Sequence, residues 1–72
     1  GPRLGDVVVG RDAVGRVLRI SAHPNSDRVV LSIWQDGCCL GTVRLASDDV
    51  PHVIEALGGA GAALQQPYPQ AG

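Results

Sequence analysis

Asp36-Gly37 stands between two runs, residues 28–35 and 38–45, that are both rich in Val, Leu, Ile and other strand formers. A two-residue Asp-Gly linker is the strongest short hairpin signal, because the favoured turn needs positive φ at its central positions. The middle of the chain therefore reads as an antiparallel hairpin, with Gly41 marking a bulge in its second strand. Upstream, residues 6–9 form a short apolar run closed by Gly10-Arg11-Asp12, and residues 14–21 read as a further strand. His23-Pro24-Asn25-Ser26-Asp27 is a turn: proline fixes one φ, and the Asn, Ser and Asp side chains bond to nearby backbone.

After Leu45 the period changes. Val50, Val53, Ile54 and Leu57 fall at i, i+3, i+4 and i+7, one apolar helical stripe. Ser47, Asp48 or Asp49 offers an N-cap, Pro51 suits a first turn, and Gly58-Gly59 is expected to end the helix as a C-cap. The order is β-β-β-β-α. The expected fold class is α+β: a four-stranded or five-stranded antiparallel meander, followed by one C-terminal helix packed on one face. Residues 5–58 form the domain and residues 59–72 a flexible Gly/Ala/Gln/Pro tail, with Tyr68 among its few anchors. Gly1-Pro2 is set aside as a cleavage remnant.

A unit of roughly 54 residues is marginal on its own core. Of the 72 residues 44% are hydrophobic, but Phe and Met are absent and the aromatics are Trp34 and Tyr68 alone. Ten valines and seven leucines must supply most of the burial. The formal net charge is −1, with Lys absent and six Arg carrying the positive charge, concentrated toward the N-terminal part. Abundant Arg, Ala, Gly and Val without Lys points to a GC-rich bacterial coding sequence. Adjacent cysteines on a strand diverge, so Cys38 and Cys39 read as reduced thiols and the expected location is cytoplasmic. No apolar run is long enough to span a bilayer.

Alternation assigns Leu18, Ile20, Val29, Leu31, Ile33, Cys39, Val43 and Leu45 to an aliphatic face, which the helix stripe is expected to cover. The opposite face takes Val17, Arg19, Val30, Ser32, Trp34, Cys38, Leu40, Thr42 and Arg44. One helix cannot cover both faces. The mixed face then packs on a second copy through Val17, Val30, Trp34 and Leu40, binds an extended partner, or stays in solvent. For a partner or nucleic acid, Trp34 is the anchor, Arg19 and Arg44 the cationic rim, and Ser32 and Thr42 the hydrogen bonders.

Catalysis finds little to build on. His23 reads as a turn residue and His52 as a helix-surface residue. The cysteines lack the spacing that lets two thiolates converge on zinc, and Asp48-Asp49 reads as helix capping. The expectation is no enzyme, no metal and no cofactor. Against nucleic acid stand the single strand aromatic, the missing Lys and the net negative charge.

The stretch Thr42-Val-Arg-Leu-Ala-Ser-Asp-Asp-Val50, a last strand running into a capped helix start, resembles the bacterial relatives of the positive-cofactor-four (Whirly-type) transcriptional coactivators. The likeness spans about 40 of the 72 residues. It departs from that family at Asp36-Gly37-Cys38, where the family has a basic hairpin, and in lacking the family's helix aromatic. The resemblance implies four antiparallel strands and a helix, dimerisation and single-stranded DNA binding. The sequence thus points to a non-enzymatic homodimerising interaction or regulatory module, with nucleic acid or a protein as partner and no membrane. The alternative is a structural dimerisation domain that binds no nucleic acid.

Overall fold

The computed structural model describes residues 6–67. Its elements are β1 (Val7–Arg11), β2 (Val17–His23), β3 (Arg28–Gln35), β4 (Cys38–Ala46) and α1 (Val50–Ala63), with 3-10 turns at Pro24–Ser26 and Ser47–Asp49. The strands pair antiparallel in the order β1-β2-β3-β4, each beside its neighbour in sequence. The fold is α+β, a four-stranded meander followed by a helix. Tyr68 and the last residues of the expected tail, like Gly1-Pro2 and the expected first domain residue Gly5, lie outside the described residues.

Local chemistry accounts for the turns. The Asp12 carboxylate accepts from the backbone N–H of Val14 (3.1 Å) and of Arg16 (2.8 Å), and so closes the β1–β2 connection. Gly15 supplies the positive φ that this turn needs. Asp36 and Gly37 both take positive φ, 52° and 78°, as the hairpin signal requires. Asp27 closes the Pro24–Ser26 turn in the left-handed conformation. Its carboxylate accepts a 2.8 Å hydrogen bond from Ser47 Oγ, tying this turn to the joint between β4 and α1.

The register sorts side chains into cross-strand rows. One face carries Val7–Ile20–Leu31–Val43, then Gly10–Leu18–Ile33–Gly41, then Ala22–Val29–Leu45. None of these residues is charged. The other face carries Val8–Arg19–Ser32–Thr42, Arg11–Val17–Trp34–Cys39, Ser21–Val30–Arg44 and His23–Arg28–Ala46. Two bulges interrupt the ladders and leave Val9 and Leu40 as extra residues. The second corrects the face assignment of the cysteines. Cys39 pairs with Trp34 on the polar face and Cys38 with Gln35 on the aliphatic one, because one inserted residue inverts the alternation beyond it.

The helix departs from expectation in three respects. It runs through Gly58 and Gly59 to Ala63 instead of stopping there. A glycine ends a helix by taking a left-handed φ, and neither Gly58, Gly59 nor Gly61 does so. Ala56, Leu57, Ala60, Ala62 and Ala63 are strong helix formers that carry the segment across. Its start has no side-chain cap either, since Ser47 donates to Asp27 and Asp48 and Asp49 belong to the preceding 3-10 turn.

The third difference concerns packing. Helix α1 does not lie on the sheet; its substantial contacts are with the Ser47–Asp49 turn. The molecule is elongated, measuring 56 × 31 × 16 Å. No hydrophobic side chain among the described residues is buried. On the aliphatic face Ile33 is 45% and Val43 57% exposed; on the helix stripe Ile54 is 66% and Leu57 71% exposed.

Since nothing lies within 4 Å of a Cβ added at Gly58 or Gly59, substitution there tests the helix alone. Gly58→Ala and Gly59→Ala should each stabilise α1 by about 1 kcal/mol and deepen the far-UV helical dichroism. A loss of helical signal would contradict a helix continuous through these positions.

Candidate functional site

Trp34 sits in the last cross-strand row of the polar face, at the end of the sheet that carries the β3–β4 hairpin, opposite Val17 on β2 and Cys39 on β4. Its half-buried indole is fixed at two points. Nε1–H donates to Ser32 Oγ at 2.8 Å, two residues back on the same face of β3. The Arg19 guanidinium carbon lies 4.7 Å from the ring centroid, within the range where a cation gains from the negative ring face, worth about 0.5–1 kcal/mol near a surface. Arg19 also places Nη2 3.3 Å from the Asp6 carboxylate. Both partners are partly solvated, so this pair contributes below about 1 kcal/mol. Indole, guanidinium, hydroxyl and carboxylate form one chain of contacts held by strands β2 and β3 and the lead into β1.

The expected binding residues come together. Trp34, Arg19, Ser32, Thr42 and Arg44 all belong to this face, as do Val17 and Val30. Leu40 is the inserted residue of the β4 bulge and is exposed. Two further arginines join them: Arg11 opposite Val17, and Arg28 opposite His23. Four of the chain's six arginines thus share one sheet face. Arg11 and Arg44 make no ion pair among the described residues. Counting charge over the whole chain hides this concentration, because most carboxylates sit in turns and on the helical segment.

Sequence reasoning missed one polar pair. His23 is the last residue of β2, half-buried and not solvated in the turn, and its Nε2 lies 3.0 Å from Ser21 Oγ. Ser21 is the only described residue classed as buried, at 7% exposure. The i, i+2 spacing on one strand face was the available signal. This contact between Ser21 Oγ and the imidazole ties down the end of β2.

Among the described residues no three His, Cys, Asp or Glu side chains gather as a metal site requires, and no helix is long and apolar enough to cross a membrane. In comparisons with known proteins, no family model, curated protein or solved structure matches this chain.

The contact between Arg19 and Trp34 is measurable without any ligand. A double-mutant cycle of Arg19→Ala and Trp34→Leu, followed by urea unfolding, should return a coupling of about 0.5–1 kcal/mol. Additive effects would show that the stacked geometry is absent in solution.

Proposed function

We propose that the protein is a non-enzymatic interaction module whose polar sheet face binds single-stranded nucleic acid. One observation carries the proposal: four arginines and the only strand aromatic occupy a single uncovered face, beside the hydroxyls of Ser32 and Thr42. Sheet-based single-strand binders work with this set, in which bases stack on aromatic or guanidinium planes and phosphates meet cations. Arg19 lies over the Trp34 ring, so on that side an incoming base would meet the guanidinium and not the bare indole. In this reading the chain acts as a homodimer with a regulatory role in transcription in a bacterial cytoplasm, the setting that the resemblance implies. A second reading, a purely structural self-association domain, is favoured by the uncovered aliphatic face; there the arginines serve solubility.

Titration of a mixed-sequence single-stranded oligonucleotide separates the two. Binding should quench Trp34 emission, and its affinity should fall steeply with salt. Arg44→Ala should weaken binding and flatten the plot of log affinity against log salt by about 0.7, the value for one phosphate contact on a single strand. Trp34→Ala should cost about 1–3 kcal/mol of binding, as loss of a stacked base does. Unchanged fluorescence and mobility at low salt would leave the structural reading standing.

A further inference from the structure

We propose that the aliphatic face of each sheet is covered by helix α1 of a second copy of this chain, in a reciprocal twofold dimer. The chain presents two apolar surfaces that it does not bring together. One is the row Val7–Ile20–Leu31–Val43 with its neighbours on the sheet. The other is the stripe Val50, Val53, Ile54 and Leu57 on α1. The Ser47–Asp49 turn separates them, and the hydrogen bond from Ser47 to Asp27 anchors that turn to the far end of the β2–β3 connection. The helix therefore leaves the sheet without folding back: Val50 and Val53 at its start are half-buried, whereas Ile54 and Leu57 further along the stripe stay exposed.

The two surfaces fit in size and shape. Fourteen helical residues span about 21 Å, and the eight residues of β3 span about 27 Å. The sheet face is not flat. Gly41 opposite Ile33 opens a shallow trough bounded by Leu31, Ile33 and Val43; a second depression beside Gly10, Leu18 and Ile33 is rimmed by the charged Arg11, Asp12 and Arg16. Branched and γ-branched helical side chains such as Ile54 and Leu57 seat in depressions of this kind.

Area argues for a second copy. The chain exposes 5844 Å², whereas a compact monomer of 7.4 kDa exposes about 4200 Å². Half of that excess already equals the roughly 800 Å² that each partner gives up in an interface of standard size. Every chain carries one apolar face and one apolar stripe, so reciprocal exchange covers both and closes the assembly with none left over. A different partner covering the sheet alone leaves the helix bare. The assignment does not depend on what the polar face binds, since that face stays outward.

The test uses the whole chain. Light scattering should give twice 7.4 kDa at micromolar concentration, and the unfolding midpoint should rise with protein concentration. In a sample mixed from labelled and unlabelled copies, isotope-filtered NMR should join Ile54 and Leu57 methyls of one chain to Leu31 and Val43 methyls of the other. Ile54→Glu should raise the dissociation constant more than about thirtyfold, the effect of a central interface side chain. Glu55→Ala, on the opposite side of the helix, should leave it unchanged. A folded monomer at high micromolar concentration, or a dimer whose intermolecular contacts run sheet to sheet without helix methyls, would overturn the proposal. The wild-type NMR result decides even if Ile54→Glu fails to fold. Loss of oligonucleotide binding by Arg44→Ala with the dimer intact separates the two sites.

Discussion

A sheet gains its backbone hydrogen bonds from its neighbours in the ladder, but those bonds exchange against water and leave a modest net contribution. What makes a small sheet persist is a second layer that takes one of its faces out of solvent. In this chain the first layer is complete and the second is missing. Four strands are in register, their turns carry suitable residues, and the uncharged rows from Val7 to Leu45 lie open. The position of the helix and the exposure of Ile54 and Leu57 on its stripe are two sides of this one unsatisfied demand.

The same demand divides labour between the faces. Apolar rows, with glycines for relief, make a surface suited to close packing and to little else. Arginines, hydroxyls and one indole make a surface suited to a charged, planar ligand. The polar face has its own internal order: Ser32 orients the indole, Arg19 caps it, and Asp6 holds Arg19. Such preorganisation would lower the entropy lost on binding the proposed ligand.

Much of the sheet was legible because its signals are local. Asp36-Gly37, the turn around Pro24 and strict alternation along β2 and β3 specify pairing within a few residues of themselves. The gathering of Trp34, Arg19, Arg44, Ser32 and Thr42 followed from the same alternation. The exit direction of α1 was not legible, because it depends on Ser47 meeting Asp27, twenty positions away in sequence. Gly58-Gly59 misled for another reason: a glycine marks a helix end only through its φ, and composition does not reveal φ. The cysteines changed faces because Leu40 is inserted directly after them, between Cys39 and Gly41, and Gly41 hints at a bulge without locating the extra residue.

Strand order has a consequence for how the molecule forms. Each strand pairs with the one made just before it, across connections of only a few residues, so little loop entropy opposes zipping from the N-terminal side. The meander can be assembled while the helical segment is still being synthesised. When α1 follows, it meets a finished sheet of its own chain that it does not rest on. In the proposed dimer the slow step of maturation shifts from chain topology to encounter, and the yield of mature molecules would depend on how many sister chains are nearby.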